Sequence, residues 1–203
     1  MTRLAAIISY VFHPLMMVTY ALLLYYTAFP TNNYFFHPRV LLFVAMFFVL
    51  TFIIPALSVF LLMRFQKWRD MQLEARGQRL LPILYTAMMY LVIFFMLRSS
   101  DAPDFIKVFQ LGSVFCLLFA AAISLRWKIS LHMIGVGGLA GAVLGLWAGH
   151  LRGYAWGLAI IFLVAGMIGT ARLLLNAHRP AEIYTGFLLG FALEFLAIFY
   201  FSS

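Results

Sequence analysis

Residues 40–63 read VLLFVAMFFVLTFIIPALSVFLLM, without one charged side chain from Val40 to Met63. A hydrocarbon core about 30 Å thick takes roughly 20 helical residues per crossing. The run is long enough to cross, and nothing in it favours water. Runs of the same kind recur at Leu4 to Phe29, Leu80 to Leu97, Phe105 to Leu125, Ser130 to Gly149, Ala155 to Leu175 and Ile183 to Phe201. Every backbone donor and acceptor inside lipid must be satisfied internally, which a helix does within each run. The expected fold is all-α, a polytopic transmembrane helix bundle of six to seven spans forming one integral-membrane domain over residues 1–203.

Composition agrees. Hydrophobic residues are 66% of the 203 and charged residues 10%, with a mean hydropathy of +1.03. Those values lie far from soluble domains and exclude them. The first run follows Met1-Thr2-Arg3 but is longer than the 7–15 apolar residues of a signal peptide, so it reads as a retained span. The single cysteine, Cys116, sits in an apolar run, where it reads as a small buried hydrophobe. One cysteine allows neither a disulfide framework nor a cysteine metal cluster within the chain.

The net charge of +8 comes from 14 Lys and Arg against 6 Asp and Glu. In a water-soluble chain it would suggest nucleic acid; confined to short loops, it fits orientation, anionic headgroups or a phosphate-bearing substrate instead. If every run crosses, one face holds Arg3, Arg64, Lys67, Arg69, Arg76, Arg79, Arg126, Lys128, Arg172 and Arg179, and the other Arg39, Arg98, Lys107 and Arg152. Ten against four leans the first face to the cytoplasm of a bacterial inner membrane. Arginines kept for a substrate would enter the same count, and without Arg76, Arg79, Lys128 and Arg172 it falls to six against four.

Pro14 and Pro55 each remove a backbone donor inside a span and predict a kink. Gly137, Gly141, Gly145 and Gly149 recur every fourth residue and form a small-residue stripe for close helix approach. Another span or a second copy of the chain can take that face, so homo-oligomerisation stays open.

Three clusters carry chemistry, and span parity returns all three to one face. The first runs Arg172-Leu-Leu-Leu-Asn176-Ala-His178-Arg179-Pro180-Ala-Glu182. Pro180 suits the first helical position, which puts Glu182 in the first turn pointing back toward His178. A carboxylate there fixes the imidazole tautomer and leaves the other nitrogen as a nucleophile or base. Arg172 offers a planar fork of donors to phosphate oxygens. The plainer alternative makes Arg172 and Arg179 headgroup anchors and His178 an interfacial polar residue. The second cluster is Lys128-Ile129-Ser130-Leu131-His132, where Ser130 is placed to cap a helix whose free amides attract anions. The third is Glu74 to Pro82, in which Arg76 and Arg79 are three apart and share a side on a helical turn. Glu194, deep in the last run, must be protonated, paired or facing a cavity. His13 stands beside Pro14, whose kink frees a backbone carbonyl.

These residues resemble the type 2 phosphatidic acid phosphatases over roughly Glu74 to Gly190. Arg172, His178 and Glu182, with Gly186 and Gly190, look like the family's third signature; Ser130 and His132 resemble its second, and Arg76 and Arg79 a loose form of its first. The resemblance implies a bundle with that family's core and a metal-independent hydrolase without cofactor, acting on a lipid phosphate or isoprenoid diphosphate. It implies that His178 attacks phosphorus, Glu182 orients it and His132 protonates the leaving oxygen. Arg76, Arg79 and Arg172 would hold the phosphoryl oxygens, Ser130 would add a hydrogen bond, and Lys128 could supply charge in place of the first pair. Ala171 stands where the family has Ser, Glu182 where it has Asp, Ile129 where it has Pro and Leu131 where it has Gly. Those four departures motivate a second reading, a lipid-phosphate binding or transport protein without turnover.

Overall fold

The computed structural model describes residues 2–28, 38–65, 76–149 and 155–201. Their elements are α1 (Thr2–Val11), a 3-10 turn (Pro14–Met16), α2 (Met17–Ala28), α3 (Pro38–Phe48), a π-helical turn (Val49–Ile53), α4 (Ile54–Phe65), α5 (Arg76–Arg98), α6 (Asp104–Ser124), α7 (Leu131–Gly149), α8 (Ala155–Leu174) and α9 (Pro180–Phe201). Among the described residues seven helical stretches are long and apolar enough to cross a membrane, from Thr2–Thr27 to Pro180–Phe201. The protein is an all-α polytopic bundle, with seven candidate spans among the described residues. Its outer faces stay apolar, with Leu42, Met88, Leu163 and Leu188 at least 58% exposed.

Pro14 interrupts its span with a 3-10 turn, Pro55 leaves its helix continuous through a π turn, and the freed backbone groups find partners. His13 caps the 3-10 turn at Pro14, its Nδ1 accepting from the Leu15 N–H at 3.3 Å. Pro55 lacks the amide that would bond the Thr51 carbonyl in an α-helix, and the helix widens to a π turn just before it. The Tyr90 hydroxyl donates to that carbonyl at 3.2 Å. Buried Thr51 bonds the Phe47 carbonyl through its own hydroxyl, which also lies 3.3 Å from that of Thr19.

The third crossing starts a turn earlier than the apolar run, at Arg76 rather than Leu80, because hydropathy marks where lipid begins and not where a helix begins. Arg79 is thereby a helical residue. The backbone of Arg76 opens α5, and its side chain lies outside the described residues.

α7 and α9 form the tightest pair. A methyl added at Gly137 or Gly141 would meet the Cα of Phe187 or Phe191 at 2.9 Å, and one at Gly190 would collide with the Ile134 carbonyl. Gly145 meets Phe195 and Ile198. Among its described members the glycine stripe is therefore occupied by α9 of the same chain, and the face considered for self-association is filled from within. In lipid the hydrophobic effect does not drive helices together, so this close backbone approach is what holds the pair. α5 and α6 make the neighbouring hairpin, α6 packs on α9, and α8 packs on both α1 and α7.

Candidate functional site

The centre of the site is the turn between α8 and α9. Asn176 ends α8 in the left-handed region, at φ 50°, a conformation that asparagine adopts more readily than most side chains. The Asn176 N–H donates to the Leu173 carbonyl at 2.9 Å and the Ala177 N–H to the Arg172 carbonyl at 3.1 Å. That pair of bonds is a Schellman closure, and it folds the chain back so that His178 returns toward Arg172.

Arg179 then caps α9 with its carbonyl, Pro180 takes the first position, and Glu182 reaches back to the Arg179 N–H at 3.2 Å. This is the carboxylate half of a capping box. The same oxygen, Oε2, accepts from His178 Nδ1 at 2.8 Å. Both side chains are over nine-tenths buried. With Nδ1–H committed to Glu182, the neutral ring carries its lone pair on Nε2. Burial, the largest cause, together with the charges of Arg172 and Lys128, holds the imidazole down at about 4 against the opposing pull of Glu182. At neutral pH His178 is an unprotonated imidazole, oriented by Glu182, with the Nε2 lone pair available.

Two cavities meet at this residue. A polar one of about 450 Å³ is lined by Arg79, Ser124, Trp127, Lys128, Asn176, His178, Arg179 and Glu182. A mostly apolar one of about 390 Å³ has His13, Arg79, His132, Arg172 and His178 at one end and Tyr90, Phe109, Ser113 and Glu194 toward the other. From Arg79 to Tyr90 along α5 is about 16 Å. Arg79, Ser124 and His178 line both cavities. The Nε of Arg172 is buried and has no hydrogen-bond partner among the described residues, although most such groups in proteins are paired. An anion at the junction would satisfy it.

Of the residues expected from the sequence, His178, Glu182, Arg172, Arg79 and Lys128 converge here. Ser130 does not. It occupies the cap position of α7 through its carbonyl, which accepts from Met133 and Ile134, but its hydroxyl is buried without a partner among the described residues and lines neither cavity. The physical reason is the α7–α9 contact. The Ser130 N–H bonds the Glu182 carbonyl at 3.3 Å, and Gly186 approaches the Ser130 carbonyl on the other side. Ser124, at the end of α6, stands in both cavities instead. Nothing in its local sequence marks it.

His132 lines the apolar cavity, but its Nε2 lies 3.1 Å from the Ser9 carbonyl. A carbonyl only accepts, so the neutral ring carries its proton there and presents Nδ1 as an acceptor. Protonating a leaving oxygen from this position would require the imidazolium. His13 packs edge-on against His132, with ring centroids 5.6 Å apart, and belongs to the same cavity. A histidine within a span is itself the signal that marks it.

Glu194 is 1% exposed and faces the cavity, its Oε1 accepting from the Ser113 hydroxyl at 3.0 Å. Gly112 and Gly138 make room for it. No family model, curated protein or solved structure matches this chain. Its functional reading therefore rests on the residues themselves.

Proposed function

We propose that this is a membrane-embedded, metal-independent phosphatase that hydrolyses a lipid phosphate or isoprenoid diphosphate through a phosphohistidine. The observation that carries the proposal is His178, tautomer held by Glu182 at 2.8 Å, standing where a cationic cavity meets an apolar one. A lipid phosphate has the same two-part character. Its headgroup suits Arg79, Lys128 and Arg172, and its chain suits the apolar cavity.

The chemistry balances without a further reactant. His178 Nε2 attacks the phosphorus of a monoester monoanion. The P–O bond to the lipid breaks, and the proton of the phosphoryl hydroxyl moves to the departing oxygen. Water then cleaves the N–P bond, giving dihydrogen phosphate and neutral His178. Arg172 and Arg79 stabilise charge on the transferring group, the largest catalytic term in such reactions. The charge count of ten against four leans the site toward the cytoplasm, and it falls to six against four once Arg76, Arg79, Lys128 and Arg172 are assigned to substrate.

Purified protein in detergent with EDTA is expected to release phosphate from a polyprenyl diphosphate or phosphatidate, and His178→Ala to abolish it. A wild-type protein silent across a broad lipid-phosphate panel sinks the proposal. The second reading, lipid-phosphate binding without turnover, is favoured by Ala171, Ile129 and Leu131 at signature positions and by the engaged proton of His132. It predicts binding that depends on Arg172 and survives His178→Ala, with no phosphate released by wild type.

A further inference from the structure

The apolar cavity holds one histidine whose proton is placed for use, and it is neither of the two expected from the sequence. His13 Nδ1 accepts from the Leu15 N–H at 3.3 Å, so the neutral ring carries its proton on Nε2. That Nε2–H makes no hydrogen bond among the described residues, and the ring lines the cavity beside His132 and Arg172. His132 is the same tautomer, but its Nε2–H is given to the Ser9 carbonyl, which leaves only the acceptor Nδ1 to the cavity. Phe52 closes the other flank of the His13 ring at 5.9 Å between centroids.

In-line displacement sets the direction. The nucleophile His178 stands in both cavities, whereas His13 lines only the apolar one. The departing oxygen bears the lipid chain, and the chain belongs in the apolar cavity. His13 is therefore on the leaving-group side. We propose that the His13 Nε2–H is the hydrogen-bond donor to the departing oxygen. This assignment rests on the phosphatase reading above. The bond forms as negative charge gathers on that oxygen and the P–O bond breaks; no proton leaves the ring. The Pro14 break that places a histidine cap inside a span thus serves the chemistry.

The test compares two substrates of one chain, decyl monophosphate and decyl diphosphate. An alkyl oxygen gathers charge poorly before the phosphoryl proton reaches it and gains most from a donor, whereas decyl monophosphate leaves well from the diphosphate. His13→Asn keeps an acceptor for the Leu15 N–H, asparagine being a good cap, and moves the donor out of reach. It is expected to slow monophosphate turnover about a hundredfold, the scale of a lost transition-state donor, and diphosphate turnover less than about threefold. Equal losses on both substrates, or none on either, would overturn the assignment. In the wild-type protein, ¹⁵N-histidine spectra provide a second readout independent of the variant's folding. Orthovanadate is expected to shift the His13 Nε2–H signal, and an unmoved signal overturns the proposal. Wild type inactive on both substrates would remove the phosphatase reading and this assignment together; wild-type activity with an unchanged His13→Asn ratio would remove this assignment alone.

Discussion

His178 and Glu182 form the unit on which the residue scale turns. The sign of the pH dependence follows from a folded-state value near 4, below the ordinary histidine value of about 6.5. The neutral imidazole, the form that the proposed attack needs, is present throughout the neutral range and lost as pH falls through about 4. Glu182 raises the histidine through its bond and its charge, so Glu182→Gln is expected to move the transition lower still. The same change removes the anion that stabilises the reacting ring, and kcat should fall by at least about tenfold. Titration of ¹⁵N-labelled histidine and a pH–rate profile check both parts. The shift also bears on stability. The folded state resists protonating His178, so this contribution is complete above about 6.5 and fades as pH falls toward 4.

Arg172 gives a second residue-scale prediction. Its buried Nε, without a partner among the described residues, makes the fork geometry the feature at stake. Arg172→Lys keeps the charge but not the planar donors, and is expected to lose about as much kcat/KM as Arg172→Ala, roughly a hundredfold. Full activity in the lysine variant would show that charge alone suffices.

At the scale of elements, glycine matters where a backbone meets it. Gly190 admits the Ile134 carbonyl of α7, whereas Gly166 on α8 has nothing within 4 Å of where a methyl would sit. Gly190→Ala should lower the detergent melting temperature by several degrees and disturb the site, because it separates the two helices that carry His132 and Glu182. Gly166→Ala should be neutral or add up to about 1 kcal/mol. Comparable melting temperatures for the two variants would count against the close-packing account. Asn176 offers the same logic at a helix end. Asn176→Gly should be tolerated, and Asn176→Val should cost about 1–2 kcal/mol from its left-handed backbone. Chemical denaturation of each variant measures it.

The whole molecule places the site at one end of the bundle and lets a cavity run inward from it between α2, α4, α5, α6, α7 and α9. That arrangement suits a substrate that keeps its chain in apolar surroundings while its phosphate meets cations. Which side of the membrane this end faces is measurable by labelling. Native Cys116 is buried, so an impermeant maleimide should report a cysteine introduced at exposed Arg179. Reaction in inverted vesicles and not in intact spheroplasts is the outcome expected for a cytoplasmic site. The reverse result would place the site on the outer side and show that Arg76, Arg79, Lys128 and Arg172 are kept for substrate.

What the sequence determined alone is what local rules decide. Apolar length set the spans, because lipid acts on each helix separately. Pro14 and Pro55 announced departures from the regular α-helix, since a missing amide is a property of one residue. Glu182 met His178 because four residues and a proline at the helix start leave little choice of geometry. Only the tertiary structure decided the rest. Ser130 had the right neighbours in sequence, yet its bond to the Glu182 carbonyl keeps it out of both cavities. Ser124 and His13 entered the site through packing between helices distant in the chain. The glycine stripe showed that some backbone would come close, and only the folded bundle selected α9 of the same chain. The division is physical: bonds within one turn are fixed by the residues that make them, whereas contacts between helices depend on which of several apolar faces pack best against one another.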